Sequence, residues 1–210
     1  MKSLYSMLKV INKRISTSIN NEINLGSLLD SSTIQLQRKN YSKEKYKDVV
    51  KYIVDQTMHR PRDLIMFCKY IKKEIEKPHC QEINYRTIKN AEKGFCDWLA
   101  NKELANEINP IIKNTKELYD ILRKIGDSPF QYEHFKALYD ENDALNKYAT
   151  ADEMVEYLYD VGIFMNVYWS YVPDRKRKVQ RFKSRIRNYS SVDKNMKLQI
   201  HPGVWKGINS

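Results

Sequence analysis

Apolar residues recur at helical spacing along most of this chain. Leu4, Leu8, Ile11 and Ile15 share one face and predict a helix over 4–15. Residues 17–41 are polar and rich in Ser and Asn, with a short apolar patch at Leu25, Leu28 and Leu29. They read as a loop with a short helical turn. Ser42 can cap a helix through Thr57, with Tyr46, Val49, Val50 and Ile53 inward. The next helix runs from Arg60 to Lys77 and ends before Pro78, with the stripe Leu64, Phe67, Cys68, Ile71, Ile75. Asn84 can cap a helix that turns Ile88, Ala91, Phe95, Trp98 and Leu99 inward. Leu104 and Ile108 continue that face to Pro110. Residues 1–113 are therefore expected to form a helical bundle.

The second half has its own order. Thr115 can cap a helix with Leu118, Ile121, Leu122 and Ile125 inward, stopped by Gly126. Ser128-Pro129-Phe130-Gln131 reads as a helix start, with a capping Ser, Pro at the first position and Gln three residues on. That helix buries Phe130, Phe135 and Leu138. Thr150-Ala-Asp-Glu153 is a second capping box, before Met154, Tyr157, Leu158 and Val161, and Gly162 closes the helix. Ile163–Tyr171 and Val179–Tyr189 then read as strands joined by a turn at Pro173-Asp174-Arg175-Lys176. Lys197–His201 reads as a short third strand. Three helices, a hairpin and one more strand is the order of a winged helix. The expected fold is mainly α: a helical bundle over 1–113, then a winged-helix α+β domain over 114–210.

Composition removes several classes of function. The 210 residues hold only six Gly and six Pro, too few for a turn-rich β-sandwich. Cys68, Cys80 and Cys96 show no CxxC spacing. Cys68 and Cys96 lie on apolar helical faces and read as core residues of a reducing, cytoplasmic compartment. His79-Cys80 has no second ligand pair, so no zinc site is expected. No run approaches the roughly 20 apolar residues of a membrane span, and the first sixteen residues are too polar for a signal peptide. The chain contains no GxxxxGK[ST], HExxH, GxSxG or GxGxxG. His59, His79, His134 and His201 are scattered, and His201 reads as a packed or capping histidine. No active site, metal or resident cofactor is expected, and the chain reads as a non-enzyme.

Charge changes the picture at the C-terminal end. The total is +11, yet residues 115–163 carry a net −6 and residues 164–210 a net +9. Arg175, Lys176, Arg177, Lys178, Arg181, Lys183, Arg185 and Arg187 fall within thirteen residues, among Trp169, Tyr171, Phe182 and Tyr189. Arg181, Lys183, Arg185 and Arg187 alternate and would occupy one strand face. Such a wing can lie along a phosphate backbone without reading sequence. It can equally be a solvated edge guarded from aggregation by its charge. The helix before it carries Asp152, Glu153, Glu156 and Asp160 and no Lys or Arg. Base readout in the major groove uses the opposite chemistry. That helix therefore reads as a surface for protein or intramolecular contacts.

The segment Thr57-Met-His-Arg-Pro-Arg-Asp-Leu-Ile-Met-Phe-Cys sets Arg60 and Arg62 on the first turn of a helix, where the macrodipole favours anions. The two arginines either meet an external phosphate or carboxylate, or pair with neighbours such as Asp63. Here the chain resembles bacterial AAA-like/STAND-type P-loop ATPases. In those proteins an ATPase core is followed by a helical lid with an R-P-R-D segment and by a C-terminal winged helix. The resemblance continues from Tyr85 to Leu104 and resumes at Phe182-Lys-Ser-Arg-Ile-Arg and Leu198-Gln-Ile-His-Pro-Gly. It implies a nucleotide-sensing role for Arg60 or Arg62. The phosphate loop and the acidic Mg-binding strand of that family are absent from this chain. The implied role is a non-catalytic lid and winged-helix module, with ATP bound only together with an ATPase core. Its partner would be that core or another protein. The competing expectation is a stand-alone winged-helix protein contacting DNA through the basic wing. The many Tyr and the three Trp are compatible with self-association.

Overall fold

The structure, a computed structural model, describes residue 13 and residues 49–78, 85–113, 115–172, 175–181 and 191–210, with backbone alone for 49–51, 85, 169–172 and 175–181. Nearly all of the helix expected over 4–15, the loop over 17–41 and the caps at Ser42 and Asn84 lie outside the described residues, as do His79 and Cys80. The chain is mainly helical with a small antiparallel sheet. It divides into two compact units, Met1–Phe95 and Cys96–Ser210. The division falls inside a helix, upstream of the 113/114 boundary expected from the sequence.

In the first unit, α1 (Val49–Gln56) turns into α2 (Pro61–Ile75), and α3 (Tyr85–Trp98) begins. Leu64, Phe67 and Ile71 of α2 and Ile88, Ala91 and Phe95 of α3 are buried. The Phe67 and Phe95 rings lie 4.9 Å apart. The apolar stripe of α2 is one turn shorter than expected. Cys68 is half-buried and Ile75 is exposed, because the helix ends there. A Cβ on Gly94 would lie 2.7 Å from the Tyr70 ring, so this glycine admits the aromatic face.

The second unit opens with the end of α3 and a π-helix, π1 (Leu99–Leu104), followed by α4 (Ala105–Ile108). Leu99, Ala100, Leu104, Ile108 and Ile112 are buried, while Trp98 is half-buried. Then come α5 (Thr115–Ile125), α6 (Tyr132–Asp140), the single turn α7 (Asp143–Asn146) and α8 (Ala151–Asp160). Gly126 and Gly162, at φ of +86° and +87°, follow α5 and α8; the left-handed backbone there favours glycine. The Thr150–Glu153 capping box is present. The expected helix start at Ser128-Pro129 is not. Phe130 exchanges both backbone hydrogen bonds with Leu198 at 2.8 Å, so it is extended and α6 starts at Tyr132. Tyr139 is buried where Leu138, only half-buried, was expected.

Strands β1 (Phe164–Val172), β2 (Arg175–Arg181) and β3 (Lys197–Ile200) form a sheet of order β2-β1-β3. Phe164 packs edge-on to Phe130 and Phe135 at 5.3 Å each, which ties the sheet to α6. A last helix, α9 (Pro202–Ile208), was not foreseen from the sequence. His201 caps it, its Nδ1 accepting from the Gly203 amide at 3.1 Å, in line with the capping role expected of this residue. Arg123 closes the other end through two hydrogen bonds to the Ile208 carbonyl, at 2.9 and 2.7 Å.

Helix α9 approaches the start of π1 closely. A Cβ on Gly207 would lie 2.0 Å from the Cys96 carbonyl oxygen and 2.7 Å from Cβ of Ala100. A backbone oxygen cannot swing aside. Gly207→Ala is therefore expected to cost about 1–3 kcal/mol through overpacking, read as a lower urea midpoint. An unchanged midpoint would refute this contact.

Candidate functional site

The R-P-R-D segment forms the joint between α1 and α2. Thr57 Oγ1 donates to the Val54 carbonyl at 2.8 Å and accepts the His59 amide at 3.3 Å. His59 takes a left-handed backbone, φ +58°. Arg60 is extended (φ −92°, ψ 137°), as a residue before proline prefers to be, and Pro61 opens the helix. The Asp63 and Leu64 amides donate back to the Arg60 carbonyl. Asp63 is fully buried, and its Oδ2 accepts the Met58 amide at 3.1 Å. The first turn thus has an internal carboxylate where the helix dipole favours one. Arg60 and Arg62 flank Pro61; Arg60 is half-buried and Arg62 exposed.

A polar cluster that sequence reasoning missed joins α1 to α3 in the same unit. The Tyr52 hydroxyl donates to Glu92 Oε2 at 2.7 Å, and Lys89 Nζ reaches the same oxygen at 2.7 Å. Lys89 also donates to the Tyr52 hydroxyl and lies 4.8 Å from the centre of its ring. Lys89 and Glu92 have helical i,i+3 spacing and could have been paired from sequence. Tyr52 arrives from another helix and could not.

In the second unit the predicted basic wing lies on the antiparallel pair of β1 and β2. Val172 pairs with Arg175, so Arg175 and Lys176 belong to β2 rather than to the turn, and the strand expected over Val179–Tyr189 begins earlier. The register sets Trp169 opposite Lys178, Ser170 opposite Arg177, Tyr171 opposite Lys176 and Asn166 opposite Arg181. Arg175, Lys176, Arg177, Lys178 and Arg181 are thus brought onto one strand. Lys183, Arg185 and Arg187 lie outside the described residues, as does the turn at Pro173-Asp174. β3 pairs with β1 only from Phe164 to Val167. Among the described residues, β1 beyond Val167 is paired by β2 alone.

The acidic helix α8 is engaged with its own chain. Asp152 Oδ1 accepts from the Tyr132 hydroxyl at 2.8 Å and from Lys194 Nζ. Glu153 closes the capping box. Glu156 Oε2 accepts the Val192 amide at 3.1 Å. Asn166 of β1 clasps Asp193 twice, donating to its carbonyl at 2.7 Å and accepting its amide at 3.0 Å. Together these contacts hold residues 192–194 against α8 and β1 on the way into β3.

The model of a FunZ-associated C-terminal helical domain matches residues 5–103. That span covers α1, α2, α3 and most of π1, and with them the R-P-R-D joint and the Tyr52–Lys89–Glu92 cluster. It leaves the hairpin outside. No curated protein matches the chain, and no solved structure does.

Within the span that resembles this helical domain, burial pushes the Cys68 thiol up to about 11, which leaves little nucleophilic thiolate near neutrality. Among the described residues, no three His, Cys, Asp or Glu side chains gather to hold a metal ion. No described helix is long and apolar enough to cross a membrane.

The Lys194 ammonium, and then the Tyr132 hydroxyl, hold the Asp152 carboxyl below the usual carboxylate range. A group depressed in the folded state stabilises above its unfolded pKa, about 3.9 for Asp. That contribution is lost as pH falls through the folded value. Asp152→Asn is expected to lower the melting temperature at neutral pH, with the gap to wild type closing below about pH 4. Melting curves across that range check it, and a gap that persists in acid would exclude the ionic origin.

Proposed function

We propose that this chain is a non-catalytic module, a lid-like helical part followed by a winged helix, that works with a P-loop ATPase through nucleotide-dependent contacts. The observation that carries the reading is the joint at Thr57–Asp63. Its buried carboxylate and left-handed His59 hold the first turn of α2 in one geometry, with exposed Arg62 on that turn. An arginine so placed has the fixed, always-charged fork that suits a phosphate edge. The match to a helical domain described as associated and C-terminal over 5–103 supports a role beside another polypeptide or domain.

The winged-helix reading of the second unit draws on strand and helix order. Helices α5, α6 and α8 precede the β1–β2 hairpin. β3 lies between β1 and the extended Phe130 that separates α5 from α6. A second reading, stand-alone binding of nucleic acid through the wing, is favoured by one observation: five of the seven β2 residues are basic and none is acidic.

The test of the first reading uses the full chain and a P-loop ATPase core encoded beside or upstream of it. Association is measured by biolayer interferometry with and without ATP. Arg62→Ala is expected to weaken binding in ATP by about tenfold, the loss of roughly one charge-assisted contact, with melting curves checking that the variant is folded. Equal binding by both proteins in both conditions would remove the sensor role. The chain alone is expected to release no phosphate from ATP.

A further inference from the structure

We propose that the paired strands β1 and β2 bind single-stranded nucleic acid in preference to duplex. This rests on the second reading above and names the ligand. The register alternates two chemistries along the hairpin. Trp169 and Tyr171, two positions apart on β1, stand opposite Lys178 and Lys176 of β2. Ser170 with Arg177 lies between them, and Val172 with Arg175 follows. An aromatic residue beside a cation, repeated at the next like position, is the combination that holds an unpaired strand. Aromatic rings take bases by stacking, and cations take the backbone phosphates.

An intact duplex offers the aromatic residues little, because its bases are already stacked and opening a step costs energy. It would also suffer from α8. Duplex docking of a winged helix lays the helix before the hairpin in the major groove. Here that helix carries Asp152, Glu153, Glu156 and Asp160 and no cation, and the phosphates flanking a groove repel such a surface. A single strand need not approach α8. The hairpin continues five residues past the last β1–β3 pair at Val167. At about 3.3 Å per residue, this carries Val172 roughly 17 Å beyond that pair.

The experiment is a fluorescence-anisotropy titration of the full chain against a short labelled oligothymidylate, a duplex of equal length and inorganic polyphosphate. It is run between about 50 and 200 mM salt. The expected result is tighter binding to the oligothymidylate than to the duplex. Trp169→Ala should lose about tenfold on the oligothymidylate and nothing on polyphosphate, while Trp169→Phe keeps the wild-type affinity. Lys178→Ala should flatten the salt slope by about 0.7, the value of one phosphate on a single strand. Melting curves check that Trp169→Ala is folded, and Tyr171→Ala replaces it if it is not. Duplex bound as tightly as the single strand, or no effect of removing either ring, overturns this inference and leaves the wing reading standing. Binding to none of the three near 100 mM salt overturns both.

Discussion

The second unit depends on bringing β3 back beside β1 after the excursion of the hairpin. β3 is only four residues long, yet it pairs with β1 on one side and with Phe130 on the other. Without it the Phe130–Phe164–Phe135 cluster would lose the strand that joins its two edges. Closing so long an excursion costs chain entropy before any pairing is gained. The charged and amide groups around residues 192–194 offset that cost. Glu156 takes the Val192 amide, Asn166 clasps Asp193 twice, and Asp152 with Tyr132 receives Lys194. The acidic face of α8 is thereby part of the fold.

This arrangement separates two kinds of charge within one unit. The carboxylates of α8 meet amides, a lysine and a tyrosine of their own chain, and the cations of β2 follow one another on a strand at the end of the sheet order. A winged-helix domain that reads DNA with its helix would have the reverse. This separation is the ground on which we propose the hairpin as the element for an anionic ligand.

In the first unit the same logic runs on a smaller scale. Asp63 is buried at a helix start, where its Oδ2 accepts the Met58 amide and the dipole favours a carboxylate. It accounts for the aspartate of the R-P-R-D segment as a structural residue. The left-handed backbone at His59, an uncommon state for a non-glycine residue, is held by the Thr57 hydroxyl between its two hydrogen bonds.

Local signals settled much of this protein. The capping box at Thr150 and Glu153, the stops at Gly126 and Gly162 and the apolar faces of α3 and α5 were legible because each depends on residues within a few positions of one another. Partners distant in sequence decided the rest. Ser128-Pro129-Phe130-Gln131 carries every local mark of a helix start, yet Phe130 is drawn into pairing with Leu198, and strand hydrogen bonds override a weak helical preference. The hairpin register turned Arg175 and Lys176 from turn residues into strand residues. Tyr52 joined Lys89 and Glu92 from another helix. The carboxylates of α8, which from sequence read as a surface for protein or intramolecular contacts, found an amide and a lysine more than thirty residues away. The sequence by itself determined the cap of α8, the glycine stops after α5 and α8 and the apolar faces of α3 and α5, since those follow from local hydrogen bonding and periodicity. Only the tertiary structure decided which charges the fold uses internally, because that depends on which distant segments come within hydrogen-bonding reach.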